Sequence, residues 1–304
     1  MRGGPQVATA DATLRPGDAV RLADVVAVTK PRIISLLVFV GATSAVAAAH
    51  GLPPFLPFIG VVAGGGLAAA GANALNCALD RDVDGLMHRT QQRPLPAGRL
   101  STEAVLALGV GLLGAAFVVL GLCANLLAAC LALAGGVWYV AIYTLWLKRR
   151  TVENIVIGGA AGAFPAVVGW AAVTGRVGIT AVALAAVIIL WTPPHFWALA
   201  TLLEADYRRG GVPMLPVVAG RAVTARRMLI YAVATVPVSA APPLWRDLGP
   251  AYGVTALVLG AWFVRLCELH RRNPSNASAG RVFRASMLYL AALFLAAAAS
   301  AALR

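Results

Sequence analysis

Asn76, Asp80 and Asp84 stand four residues apart where an apolar run gives way to "NALNCALDRDVDGLMHRTQQRPLPAGRL", residues 73–100. If the run stays helical, positions i, i+4 and i+8 share one face over slightly more than two turns. Like charges at that spacing repel, and a bound divalent cation converts the repulsion into attraction. Mg²⁺ takes hard oxygen ligands, keeps several waters, and is usually held by one or two carboxylates together with substrate phosphates. The spacing therefore suits a magnesium–diphosphate site at a membrane surface. It equally suits a solvated acidic helix end with Arg81 and Arg89 as ion-pair partners. Asp82 points away from the shared face and is expected in a salt bridge or loop.

Two further polar clusters follow. "YTLWLKRRTVENIVIGG", residues 143–159, carries Lys148, Arg149 and Arg150; "WTPPHFWALATLLEADYRRGGVPMLPVVAG", residues 191–220, carries His195, Glu204, Asp206, Tyr207, Arg208 and Arg209. Cations of this kind can clamp a diphosphate and stabilise it as it leaves, or they can simply set membrane topology. The cysteines (Cys77, Cys123, Cys130 and Cys267) form no metal-ligand pair and read as small apolar fillers.

The elements that must position these residues are membrane helices. Of the 304 residues 60% are hydrophobic and only 12% charged, and the mean hydropathy is +0.80. A soluble domain has about a quarter of its residues charged, so aqueous solubility as a monomer is excluded. Apolar runs of about 20 residues, long enough to cross the hydrocarbon core as helices, are expected at 33–50, 54–79, 103–122, 125–146, 153–173, 178–203, 228–245, 249–269 and 284–303. The seventh is the weakest, because of Pro237 and the pair Pro242–Pro243. The expected fold is all-α, with a flexible N-terminal segment over 1–23 and one transmembrane domain over 24–304.

The net charge of +13 is not gathered in one patch, which argues against nucleic acid. Basic residues recur in alternate loops: all but Arg176, Arg246 and Arg304 fall on one side of the nine-span reading. By the positive-inside rule that side, with the N-terminus, is cytoplasmic and the C-terminus is outside. Among the acidic residues only Asp247 falls on the far side. Residues 1–20 contain neither the apolar core of a cleavable signal peptide nor the acid-free composition of a transit peptide, so a bacterial inner membrane is expected.

On these residues the chain resembles the UbiA family of intramembrane prenyltransferases. "NCALDRDVDGLMHRTQQRPLPAG" is similar to that family's first aspartate-rich motif, NxxxDxxxD. "TKPRI" (29–33), "YTLWLKRRTVENIVIGGAAGAFPAVVGW", "WTPPHFWALA" (191–200) and "DYRRGGVPMLPVVAG" (206–220) resemble its haem-prenylating branch, the protohaem IX farnesyltransferases or haem O synthases. The resemblance implies nine helices around a central cavity and transfer of farnesyl from farnesyl diphosphate to a vinyl group of haem B. It implies Mg²⁺ on Asn76, Asp80, Asp84 and Asp206. Lys148, Arg149 and Arg93 would assist departure of diphosphate, and Lys30, Arg32, Tyr207 and Arg208 would contact substrate.

Where the wider family often has several aspartates in its second motif, this chain has Asp206 with Glu204 nearby and Leu202 and His195 upstream, a departure shared with the haem-prenylating branch. His195 reads either as a haem contact or as a hydrogen-bonded helix histidine beside Pro194. His50 is placed at the far side, and His88 and His270 in or beside loops. A haem A synthase or a terminal oxidase would be the protein partner. The alternatives are a prenyltransferase with a quinone or phenolic acceptor, and a transporter, which would place its carboxylates nearer mid-span.

Overall fold

The computed structural model describes residues 21–303, which are helical with no strand among them. The segment 1–20, most of the expected flexible N-terminus, lies outside the described residues. Nine helices there are long and apolar enough to cross a membrane: Pro31–Ala49, Phe55–Leu79, Thr102–Cys123, Leu126–Leu147, Asn154–Thr174, Ile179–Leu202, Gly220–Trp245, Pro250–Arg272 and Asn276–Ala302. They are named the first to ninth spans in that order. The protein is a multi-pass membrane protein.

Two boundaries differ from the expected ones for one reason. The seventh and ninth spans begin at Gly220 and Asn276, eight residues before the apolar runs at 228 and 284, because a helix continues through its basic end once it leaves the apolar layer. Pro237 sits inside the seventh helix, and Pro242–Pro243 turns its end into a 3₁₀ segment, Pro242–Trp245.

Lipid offers no hydrophobic drive to bring helices together, so close van der Waals approach does that work and small residues line the contacts. The first span packs on the fifth and the second on the third. A Cβ built on Gly169 would lie 2.0 Å from the Gly41 carbonyl oxygen, and one on Gly71 would lie 2.7 Å from that of Gly109. The sixth to ninth spans share a core holding Trp191, Trp197, Tyr252, Phe263, Tyr289 and Phe294. The ninth span also packs against the first, closing the bundle. Large side chains such as Val110, Val118, Leu122 and Leu288 face outward.

Between the first, second, fourth and fifth spans lies a cavity of about 270 Å³, with Phe196 of the sixth span reaching its wall. Short helices cap the basic end of the bundle: Leu22–Thr29 before the first span, Arg81–Leu86 after the second, and Glu204–Arg209 and Leu215–Val218 after the sixth.

Candidate active site

The second span does not run unbroken through its acidic end. Its helix stops at Leu79, and Asp80 takes φ −97° and ψ 5° before the turn Arg81–Leu86 resumes. The backbone still bridges the break, Asp80 N to Asn76 O at 2.9 Å and Asp84 N to Asp80 O at 2.8 Å. Asn76, Asp80 and Asp84 thus stay on one inward side, each at most 4% exposed. Asp82 turns outward, where Arg149 grips both its oxygens at 2.7 Å. That grip holds the Asp82 carboxyl below its usual pKa.

Cations from three other segments converge on the inward side. Lys148, at the end of the fourth span, donates to Asp80 Oδ2 at 2.5 Å. Asn76 Nδ2 donates to the same oxygen at 2.7 Å and to Thr144 Oγ1 at 3.0 Å. Arg93 donates to Asp84 Oδ2 at 2.7 Å. Lys30 donates to Asn76 Oδ1 at 2.6 Å, and its enclosure lowers its pKa against the pull of nearby Cys77, Asp84 and Asp80. Lys30 reaches inward from a left-handed backbone position, φ 57°, in the sharp turn between Thr29 and Pro31. For a non-glycine residue that conformation is strained, and such strain gathers at functional sites.

The other residues singled out from sequence are held differently. Asp206 accepts from the backbone N–H groups of His88 and Arg89 at 3.2 and 3.3 Å and from Arg209, so it fastens the loop that carries Arg93. Desolvation pushes the Asp206 carboxyl up, but Arg209 and the two amides outweigh it and the pKa falls below the ordinary value. Tyr207 is buried, its phenol pushed up by desolvation and drawn back by Arg89 and Arg93. Arg149 is occupied by Asp82 and the Leu79 carbonyl, with Asp80 Oδ1 3.7 Å away. Arg208 is on the surface with Glu204, which also binds Arg221. Arg32 is exposed and forms no ion pair with the described residues.

His195 shares a 2.7 Å hydrogen bond between its Nδ1 and Ser286 Oγ, and its ring is stacked between Trp191 and Phe283 with centroids 4.3 and 4.9 Å away. Its neighbour Phe196 lines the cavity. Sequence reasoning missed Thr144, Tyr139 and Asn73. The fourth span ends in a π-helix, Trp138–Leu147, in which Thr144 Oγ1 bonds the Tyr139 carbonyl and Lys148 N bonds the Tyr143 carbonyl, each five residues back. Asn73 and Tyr139 line the cavity just inside the Asn76–Thr144 layer.

The donor set fits a divalent cation shared with a phosphate. Among the described residues no three His, Cys, Asp or Glu side chains converge on one point, so a closed protein cage is not offered. Asp80 Oδ1 is instead buried without a hydrogen-bond partner, and no hydrogen bond reaches Asp84 Oδ1. Two carboxylates, each with an oxygen that accepts no hydrogen bond among the described residues, can be completed by water and phosphate oxygens, the arrangement that suits Mg²⁺. Lys30, Lys148 and Arg93 against Asp80 and Asp84 leave one positive charge, the complement of a metal-bound diphosphate that keeps one negative charge.

The bundle of membrane helices thus holds a buried ionic cluster beside an apolar cavity. Comparison with known proteins gives its family. The sequence profile of the UbiA prenyltransferase family matches residues 36–288, and the chain belongs to that family. It is 49% identical over 286 residues to a protoheme IX farnesyltransferase of Symbiobacterium thermophilum, covering 93% of this chain and 95% of that one. It is 46% identical over 286 residues to a protoheme IX farnesyltransferase of Roseiflexus sp. (strain RS-1), covering 94% of this chain and 54% of that one. The chain thus spans about half the length of the Roseiflexus relative. Among solved structures, a UbiA homolog from Archaeoglobus fulgidus bound to DMAPP and Mg²⁺ superposes with a TM-score of 0.66 at 14% identity, over 90% of this chain and 98% of that one. That likeness is one of fold.

Proposed function

We propose that the protein transfers the farnesyl group of farnesyl diphosphate to a vinyl group of haem B, giving haem O and diphosphate. The observation that carries the reading is the buried Asp80 oxygen that accepts no hydrogen bond among the described residues, set among cations beside an apolar cavity. The choice of haem as acceptor rests on the names of the relatives. The arginine and lysine distribution supports a site that faces the cytoplasm, and the bacterial relatives support an inner membrane.

Asp80 and Asp84, with Asn76 beside them, would hold Mg²⁺, which when bound neutralises charge on the diphosphate. Lys148 and Arg93 stabilise the leaving diphosphate as the C1–O bond breaks and its electron pair departs with oxygen. The vinyl π pair then forms the bond to farnesyl C1. Water adds to the cation left beside the porphyrin ring and loses a proton, giving the hydroxyethylfarnesyl side chain. The cavity sheathes the isoprenoid, at about 0.8 kcal/mol per buried CH₂, and keeps water from the allylic cation. Asp206 positions Arg93 through the loop it fastens. His195 Nε2 has no hydrogen-bond partner among the described residues and is left for the acceptor.

The test is a reconstituted reaction of purified protein, haem B, farnesyl diphosphate and Mg²⁺, with and without EDTA, read by mass spectrometry of the haem. A Mg²⁺-dependent hydroxyethylfarnesyl adduct that disappears in Asp80→Ala is expected. Unmodified haem beside a prenylated quinone precursor would move the acceptor assignment to another branch of the family.

A further inference from the structure

Of the described residues lining the cavity, only Asn73 and Tyr139 carry polar side-chain atoms. Asn73 is 3% exposed, and its carboxamide makes no hydrogen bond with any described residue. The contrast with Asn76, three residues on, is sharp: that amide is tied to Lys30, Asp80 and Thr144. The Asn73 amide therefore faces the cavity without a protein partner and is open to whatever fills it, so a small apolar residue in its place would break no hydrogen bond of the fold.

Its place in the fold says which part of a ligand it meets. Asn73 lies about one helical turn, some 5 Å along the axis, deeper than Asn76. Tyr139 lines the same cavity, and its backbone carbonyl accepts from the Thr144 hydroxyl to which Asn76 donates. A prenyl diphosphate with its phosphates at Asp80, Asp84, Lys148 and Arg93 runs its first isoprene unit past these two side chains. We infer that Asn73 is a catalytic residue whose amide oxygen faces the C1–C3 allylic unit and stabilises the positive charge that develops there as the C1–O bond breaks. The inference rests on the prenyl-transfer reading above but not on the identity of the acceptor. It deepens that reading by assigning a second, opposite-sign electrostatic site: cations for the departing diphosphate, an amide dipole for the carbocation. Being tied to nothing, the amide can turn its oxygen toward the charge, and the apolar wall raises the worth of one dipole above its value in water.

The experiment compares wild type, Asn73→Leu and Asn73→Ser in three readouts. They are Mg²⁺-dependent release of diphosphate from farnesyl diphosphate without acceptor, prenylation of haem B, and thermal unfolding in detergent with and without farnesyl diphosphate and Mg²⁺. Asn73→Leu should release diphosphate about 100-fold more slowly, the scale for losing one oriented dipole in such a site. KM should move less than about threefold, and the ligand-induced rise in unfolding temperature should be kept. Unliganded Asn73→Leu should unfold at or above the wild-type temperature, which a structural asparagine would not permit. Asn73→Ser, which keeps an oxygen, should recover part of the rate and guards against a misfolded leucine variant. Unchanged diphosphate release in Asn73→Leu overturns the inference, as does a raised KM with kcat intact. So does a change of haem product from the hydrated to the dehydrated adduct at unchanged release, which would assign the amide to water. If wild type releases diphosphate but leaves haem unmodified, the acceptor assignment fails while Asn73 is still judged by release. If wild type releases none, with or without acceptor, both fall.

Discussion

Replacing Asp80 by asparagine keeps the side chain's shape and removes its charge. Lys148, only 11% exposed at its side chain, then loses the counter-charge that Asp80, 2% exposed, supplies at 2.5 Å. Removing one partner of a buried ion pair costs about 3–5 kcal/mol, chiefly because the other charge is left uncompensated. The new amide can still accept one hydrogen bond, so the low end, about 3 kcal/mol, is expected. At about 1.6 °C per kcal/mol in a chain of this size, the unfolding temperature should fall by about 5 °C.

Lys148→Met should cost less, about 2 kcal/mol, because Arg149 waits 3.7 Å from the other Asp80 oxygen. The double variant Asp80→Asn/Lys148→Met has no stranded charge and should return to within about 1 kcal/mol of wild type, since a buried pair replaced as a unit is often near neutral. Thermal unfolding in detergent, followed through the seven tryptophans, reads all four proteins. Prenyl transfer should be abolished in every variant, including the stable double one. A double variant whose loss equals the sum of the single losses would show that the pair is not coupled. The charge bookkeeping of the whole site would then fail.

Three smaller perturbations follow from the same geometry. Gly169→Ala should collapse the yield of folded protein, since its Cβ would meet the Gly41 carbonyl at 2.0 Å, whereas Gly111→Ala, with open space at its Cβ, should be neutral or more stable by up to about 1 kcal/mol; detergent size-exclusion chromatography separates the two. Arg93→Ala should lower turnover at least about 100-fold, while Arg208→Ala, which loses only a surface pair with Glu204, should stay within about threefold in the same assay. Because the Asp206 pKa is lowered in the folded protein, its contribution is present above the ordinary carboxylate value of about 3.9 and is lost as pH falls through the folded value. Amide hydrogen exchange at His88 and Arg89 should therefore accelerate, after correction for intrinsic rates, in strongly acid solution, and in Asp206→Asn at neutral pH; equal protection in that variant and wild type would refute the latch.

The nine spans were readable because lipid imposes length and hydropathy on every crossing segment, and the aspartate ladder because four-residue spacing survives the small break at Asp80. Tyr139 was not readable as sharing a helix side with Lys148. In a regular α-helix nine residues end half a turn out of phase, which places the two on opposite faces. The widened i→i+5 turns of Trp138–Leu147 remove that offset, and no composition signal announces such turns, which frequently occur at functional sites. Asp206 was legible as a residue and not as a latch, because its partners are backbone amides more than a hundred residues away. Asn73 had a signal, a second asparagine one turn before Asn76, but only the structure shows that it faces the cavity without a partner among the described residues.

Lys148 and Arg93 each already hold a carboxylate, so on the function proposed above loading of the site would have the character of ion exchange. Asp80 and Asp84 would take the cation of a metal-bound diphosphate, and the ammonium and the guanidinium its phosphates. Few mobile ions need enter or leave, so affinity should fall only gently with ionic strength, unlike binding to an open basic patch. On the same reading these pairs would reset the site afterwards. Once the prenyl group has gone and the isoprenoid no longer anchors the head, Asp80 and Asp84 would compete with free diphosphate for the same two cations, and the protein's own carboxylates would help to eject the product.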